Sequence, residues 1–382
     1  MAAKRTAKKS RTPPPTAPEP SKGPDLAKLR GEIDAVDERL HGLLNERARL
    51  ARAVGTLKSK DAKSVDFYRP EREAQVLRMA IARNHGPLRN EEIARLFREI
   101  MSACLAQEEP LKVVFLGPEG TFTQTALLKH FGHSVRAMPL TTIDEVFHEV
   151  ETSSADFGVV PIENSTEGMV NHTLDRFIGS PLKICGEVEL RIHQFLMGKV
   201  SSLSRVRRVC AHEQSLAQCR GWLAEHLPDA QRVPVSSNAE GARRARDEEG
   251  TVAIAGETAA EVYSLPVLAH EIEDRPDNTT RFFVLGRKLF RPSGHDRTTL
   301  LVSGKQSEEA GVLFRLLEPL AAHGVSMTRI ESRPSHKKKW DYVFFMDIEG
   351  HAEEPRVDKA LSALRERASL FRVLGSYPRA VL

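Results

Sequence analysis

Long apolar runs are missing from this chain of 382 residues. None approaches the roughly 20 residues that cross a bilayer as a helix. The N-terminus has no apolar signal-peptide core, so a cytoplasmic protein is expected. Cysteine is scarce, with 4 in the chain. Cys104, Cys185, Cys210 and Cys219 form no CxxC, and no histidine pair stands at zinc-finger spacing. They read as reduced, small core residues. GxGxxG, a Walker-type lysine, GxSxG and HExxH are all absent. The mechanisms those motifs carry therefore have no foothold here. No metal and no organic cofactor is signalled.

A strongly charged globular surface is missing too. The formal net charge is +4, but residues 1–22 hold Lys4, Arg5, Lys8, Lys9, Arg11 and Lys22 against Glu19. That is 6 − 1 = +5, which leaves 4 − 5 = −1 for the rest of the chain. The basic character sits in a Pro/Ala/Lys tail over residues 1–24 that cannot bury enough apolar surface to fold. A solubilising tail is favoured over a nucleic-acid contact.

Three segments with different grammars follow. Residues 25–109 read as helical. Residues 111–290 alternate short apolar strands with helical patterns, which is α/β grammar. Residues 296–382 read strand, helix, strand, strand, helix, strand, the split βαβ order of a ferredoxin-like α+β unit. The junctions "EEP" and "RPSGHD" suit linkers.

In the helical segment, Leu26, Leu29, Ile33, Val36, Leu40, Leu43, Leu50, Val54 and Leu57 form one apolar stripe with a seven-residue repeat. Arg47 occupies a slot where that pattern demands an apolar side chain. A cation buried there needs an anionic partner. The partner is either an internal carboxylate or an anionic ligand held between helices. Arg30 and Lys58 border the same stripe about 42 Å apart, at roughly 1.5 Å per residue. One small ligand cannot touch both from one helix. The ligand alternative therefore predicts an antiparallel helical dimer with two shared sites.

The stretch "LRGEIDAVDERLHGLLNERARLARAVGTLK" followed by "FYRPEREAQVL" resembles the all-helical chorismate mutases. The resemblance implies three helices per chain intertwined in a dimer. It places the family's cations on Arg30 (reaching across the dimer), Arg47, Lys58 and Arg72. A carboxylate for a substrate hydroxyl falls on Glu73. Arg69 stands where Asp is frequent, and Glu108 where Gln is frequent. Chorismate rearranges to prephenate in a pericyclic step without a nucleophile. The protein need only hold a compact dianion and stabilise charge growing on the ether oxygen.

In the α/β segment three loops gather polar groups at strand ends, where open sheets bind ligands. "GPEGTFT" opens a helix, with Thr121 at its start. "GVVPIENSTEG" places Glu163, Asn164 and Ser165 before another helix. "AHEQSLAQC" brings His212, Ser215 and Gln218. No serine has a His-plus-acid context, so a hydroxyl here suits hydrogen-bond or proton donation better than attack. These motifs, with "TRF" at residues 280–282, are similar to those of prephenate dehydratases over residues 111–288. The resemblance implies two α/β lobes like those of periplasmic binding proteins, with the site in the cleft. It makes Thr280 the catalytic hydroxyl that assists loss of the ring hydroxyl of prephenate as carbon dioxide departs. It leaves Thr279 as scaffold. Arg281 is expected to hold the cleft or a carboxylate.

Residues 298–376 resemble the ACT regulatory fold. Its phenylalanine-binding motifs fall on Gly311, Val312 and Leu313, and on Glu331, Ser332, Arg333 and Pro334. The resemblance implies a homodimer or larger homo-oligomer, feedback-inhibited by phenylalanine bound between paired modules. Two other readings stay open from the residues: a dehydratase whose helical segment only dimerises or regulates, and a non-enzymatic amino-acid sensor.

Glu108 can donate to the ether oxygen only when protonated. Mutase turnover should therefore rise as pH falls from about 8 to about 5, toward the carboxyl range. A pH profile of the chorismate reaction checks this. Glu108→Gln should flatten the rise, whereas a flat wild-type profile left unchanged by the substitution contradicts the role.

Overall fold

The computed structural model describes residues 26–61, 68–107, 110–305, 310–335 and 342–381. Within it, no helix is long and apolar enough to cross a membrane.

The expected apolar stripe forms one helix, Leu26–Asp61, of 36 residues. Its apolar side chains face solvent in the single chain: Leu26 is 62 % exposed, Ile33 59 % and Leu50 62 %. Two shorter helices follow, Pro70–Ala82 and Asn90–Leu105. Pro70 begins the first, where its missing N–H costs nothing. Ala74, Leu77 and Ala80 bury one face of that helix, and Ala94 and Cys104 one face of the next.

These two helices are anchored on the α/β segment. Tyr68, just ahead of the first, is buried among Phe131 and Phe157. Its hydroxyl lies 2.8 Å from His130 Nε2. Arg78 donates to the Ser293 and His295 carbonyls at 3.2 and 3.1 Å. The "RPSGHD" stretch, expected as a linker, is thus a pinned turn. Its Ser293 and Gly294 amides donate to Asp296 Oδ2 at 2.8 and 3.0 Å.

The α/β segment builds two sheets. The first has the order Arg136–Leu140, Lys112–Leu116, Phe157–Asn164, Thr279–Gly286, Lys183–Arg191, with Gly168–Met169 beside the third. The second runs Val267–Ala269, Phe195–Met197, Thr251–Ala255, Arg208–Ala211, Gln231–Pro234. The chain passes between sheets through residues 192–194 and 270–278. Two such crossings make two lobes with a cleft. The last strand of the segment, Thr279–Gly286, lies between two others of the first sheet and is buried from Arg281 onward. Its apolar run therefore serves both faces of that sheet, as a central strand requires.

Residues 296–378 form a four-stranded antiparallel sheet ordered Met327–Pro334, Tyr342–Glu349, Asp296–Gly304, Ala368–Pro378. Helices Val312–Ala322 and Pro355–Arg367 join one face of it in a core around Leu300, Val302, Leu316 and Leu361. The other face sends Leu301, Phe345, Leu374 and Tyr377 into the core of the first lobe, against Phe177, Ile184 and Phe283. The helical face was legible as amphipathic pattern. The second face was not, because its partner lies in a different segment.

His130, packed against Tyr68 and Phe131, has its pKa lowered to about 3, first by burial and then by the nearby Arg98 charge. The unfolded chain takes up the proton near the ordinary histidine value, so the folded state binds fewer protons between those two values. Stability should be intact above about pH 6.5 and fall as pH drops toward 3. Denaturant midpoints across that range test it. His130→Phe, which has no proton to take up, should shallow the slope.

Candidate active site

The backbone register of the central strand decides which side chains reach the cleft. Thr280 pairs with Asn164, and Arg281 pairs with Glu163. Successive side chains of a strand point to opposite faces. Thr280 and Asn164 therefore face one way, and Arg281 and Glu163 the other.

On the first face lies a cleft of about 310 Å³ between the lobes. Thr121, Asn164 and Thr280 line it from the first lobe, and His212, Ser215 and Gln218 from the second. Gln194, on a crossing segment, and Asn278, on the other, add to the polar set, as do Gln214, Ser236, Ser237 and Asn238 of the second lobe. Among the described residues that line it there is no Lys, Arg, Asp or Glu. A further contact ties the lobes at one rim: Thr125 and Thr258 hydroxyls meet at 2.8 Å.

Hydrogen bonds set the polarity of Thr280. Asn164 Nδ2 donates to Thr280 Oγ1 and to Asn278 Oδ1, each at 2.8 Å. Asn164 Oδ1 accepts from the backbone amides of Thr166 and Glu167 at 2.9 and 3.1 Å. That amide is fixed at both ends, so its NH₂ must face Thr280. With its oxygen accepting from Asn164, Thr280 keeps its own proton to donate, and the residue lines the cleft. Thr121 also lines the cleft, at the start of helix Phe122–Phe131.

The expectation that Arg281 serves the cleft gives way. Arg281 is 8 % exposed. It donates through Nε to Glu187 Oε2 at 2.9 Å, through Nη1 to Asp347 Oδ2 at 2.6 Å and through Nη2 to Tyr377 Oη at 3.1 Å. Asp347 and Tyr377 belong to the C-terminal sheet. Glu163 shares that face and pairs with Arg329 of the same sheet at 3.4 Å, so it too points away from the cleft. Ser165 is a tie within the loop: its Oγ accepts from the Thr279 amide at 2.9 Å. Strand alternation and loop closure are the reasons, and neither shows in a motif. Gln194, Asn238 and Asn278 were missed. Asn278 stood beside "TTRF", but Gln194 gave no local signal.

The mutase residues are only partly described. Arg30 is exposed and Arg47 half-buried on helix Leu26–Asp61. Among the described residues neither has a carboxylate partner, so the internal-pair alternative for Arg47 finds none there. Lys58 lies in that helix with its side chain outside the described residues, and Glu108 lies outside them altogether. Arg69 and Arg72 are exposed at the start of helix Pro70–Ala82. Glu73, one residue on, hydrogen-bonds with Tyr68 and lies in the field of Arg98.

In the C-terminal sheet Gly311 takes φ +80 ahead of helix Val312–Ala322, a backbone state that glycine adopts freely. Leu313 is exposed in that helix's first turn. Glu331, Ser332, Arg333 and Pro334 end the edge strand. Arg333 grips Asp175 of the first lobe with three hydrogen bonds of 2.8–3.0 Å. The first motif opens helix Val312–Ala322 and the second ends strand Met327–Pro334, the edge strand of the sheet.

Family models match in the same order: "Chorismate mutase type II" over residues 29–109, "Prephenate dehydratase" over 113–289 and "ACT domain" over 299–366. The bifunctional chorismate mutase/prephenate dehydratase of Stutzerimonas stutzeri is 52 % identical over 95 % of this chain and 100 % of its own. The chain belongs to the bifunctional chorismate mutase/prephenate dehydratase family. The enzyme of that name from Pseudomonas aeruginosa is 52 % identical over 94 % of this chain and 98 % of its own. Among solved structures, the prephenate dehydratase of Arthrobacter aurescens in complex with L-Phe has a TM-score of 0.65 at 37 % identity. It covers 70 % of this chain and 90 % of that one. The cleft lies within the residues that match the prephenate dehydratase model, and the helices before it fall in the chorismate mutase match.

The two threonines of the central strand should separate cleanly. Thr280→Val removes the donor proton and should cut dehydratase kcat at least about 100-fold, the low end for a positioned donor. Thr279→Val should change it by less than about fivefold, since its tie to Ser165 is through the backbone. Mutase turnover of both variants, measured on chorismate, controls for folding.

Proposed function

We infer that the chain is a two-activity enzyme that isomerises chorismate to prephenate and then converts prephenate to phenylpyruvate. The full-length match to bifunctional relatives carries this reading. In the second reaction the electron pair of the carbon–carboxylate bond flows into the ring and the ring hydroxyl leaves. Carbon dioxide, hydroxide and phenylpyruvate result. Restored aromaticity supplies the driving force, and the poor leaving group sets the barrier. The donor proton of Thr280 meets that leaving oxygen, and Asn164 holds the threonine in that polarity. Thr121, Gln218 and the starts of helices Phe122–Phe131 and Asn238–Asp247 face the substrate's carboxylates. Neutral donors and helix N-termini suit them in a cleft without cationic side chains.

The mutase site takes Arg30, Arg47, Lys58, Arg69, Arg72, Glu73 and Glu108 and is completed by a second chain. Nine exposed apolar side chains along helix Leu26–Asp61 support a homodimer through that stripe. Such a stripe is costly to leave in water. The four cysteines are free and buried, which fits a reducing cytoplasm.

Feedback by phenylalanine through the ACT sheet is the third part of the reading. The second motif ends the edge strand of the sheet, Met327–Pro334, where a second module can pair and hold a ligand between the two. Phe314, 70 % exposed beside the first motif, suits the same pairing. The strand that carries the second motif reaches the cleft loop through Arg329 and Glu163, and the first lobe through Arg333 and Asp175.

Chorismate supplied to the wild type should give prephenate and then phenylpyruvate, each followed separately. Arg47→Ala should abolish the first step and spare conversion of added prephenate, whereas Thr280→Ala should do the reverse. A helical segment that serves only to dimerise predicts no prephenate from chorismate. Arg329→Ala should weaken inhibition by phenylalanine while uninhibited turnover stays within about twofold, as for a surface-side contact. Inhibition unchanged in that variant contradicts the coupling route.

A further inference from the structure

Gln194 lies on the first crossing between the lobes, one residue before strand Phe195–Met197. It is 1 % exposed and lines the cleft. Its backbone amide donates to Glu273 Oε2 at 2.8 Å, which pins the main chain there. Its side-chain Nε2 donates to Ser215 Oγ at 3.1 Å and to Gln218 Oε1 at 3.2 Å. The Gln218 oxygen takes only a donor, which directs the NH₂ of Gln194 toward it. Gln194 Oε1 has no hydrogen-bond partner among the described residues. A buried acceptor so left costs about 1–3 kcal/mol, so it calls for a ligand or a water.

Ser215 completes the arrangement. Asn238 Nδ2 also donates to Ser215 Oγ, at 2.8 Å. The serine oxygen thus accepts twice, and its proton has no acceptor among the hydrogen bonds formed by the described residues. Ser215 is 4 % exposed and lines the cleft beside Gln194. Two neighbouring residues of the cleft lining therefore hold an unpartnered buried acceptor and a hydroxyl proton, where no Lys, Arg, Asp or Glu lines the cleft.

We propose that Gln194, with Ser215, is a substrate-positioning residue that binds the ring alcohol of prephenate. The assignment rests on the dehydratase reading and on hydrogen-bond valence. The two carboxylates and the ketone of prephenate only accept, and they would face the Gln194 oxygen unfavourably. The ring alcohol alone both donates and accepts. Gln194 Oε1 takes the alcohol's proton in a hydrogen bond, and Ser215 donates back. A lone pair of the alcohol is thereby turned to the proton of Thr280. As the C–O bond breaks, the oxygen gains negative charge and its own O–H donates less strongly. Gln194 therefore orients the bound substrate, while Thr280 stabilises the departing hydroxide.

Phenylpyruvate lacks the ring alcohol, and this separates the proposal from a structural role. Gln194→Met keeps the length of the side chain and removes the acceptor. It should lower kcat/KM for prephenate about tenfold, the worth of one neutral hydrogen bond. Inhibition by added phenylpyruvate should stay within about twofold, because no contact to it is lost. Gln194→His, whose neutral ring keeps one donor and one acceptor, should recover most of the loss. Turnover of chorismate by the same chain reports folding. Equal weakening toward prephenate and phenylpyruvate, or no change toward either, overturns the proposal. Failure of the wild type to form phenylpyruvate instead overturns the dehydratase reading itself.

Discussion

Arg281 is the buried cation on which the joining of two sheets depends. It lies between Glu187 of the first lobe and Asp347 of the C-terminal sheet, with Tyr377 closing the third side. Arg297 reaches the same Glu187, and Thr299 donates to Asp347 at 2.6 Å. A buried ion pair gains little over a packed apolar contact, but removal of one partner leaves a stranded charge that costs about 3–5 kcal/mol. Apolar faces alone would let the sheets slide. The network specifies one relative placement, so the cleft and the regulatory sheet have a defined geometry toward each other.

That placement gives the central strand two roles at once. Thr280 faces the cleft and Arg281 faces the network, one residue apart on a backbone with period two. Asn164 and Glu163 repeat the division on the neighbouring strand. A shift of the C-terminal sheet that moves Asp347 or Arg329 therefore acts on the same two strands that hold Thr280 and Asn164. On the proposed reading, regulation and chemistry share one element, and no long chain of intermediates is needed to connect them.

On the proposed reading, the cleft takes a charged substrate with no Lys, Arg, Asp or Glu in its lining. Its lining offers amides, hydroxyls and helix starts, and Asn164, Thr280, Asn278, Ser215 and Asn238 are tied to neighbours. Fixed neutral donors avoid the desolvation cost of a buried cation and still direct charge at the leaving oxygen. The mutase segment follows the opposite strategy, with several cations on helices whose apolar stripe is uncovered in one chain. The two chemistries differ accordingly: one holds a compact dianion, and the other directs a departing group.

Periodicity and motif order pointed to the three segments, the helical stripe of residues 26–57 and the strand–helix order of the C-terminal sheet, whereas Thr280 was singled out by resemblance to a family motif. These follow from local rules: helices and strands each write their own repeat, and a cleft motif sits at a strand end. Tertiary structure decided which neighbours in a motif share a face. Glu163, Ser165 and Arg281 read like cleft residues because they adjoin Asn164 and Thr280, but pleating and loop closure turn them elsewhere. Only folding brought Gln194 beside Ser215 and Asn238, across intervals of 21 and 44 residues in the chain. Hydrogen-bond valence is a property of atoms within about 3 Å of one another. No one-dimensional pattern carries such distances when the partners come from different strands and helices.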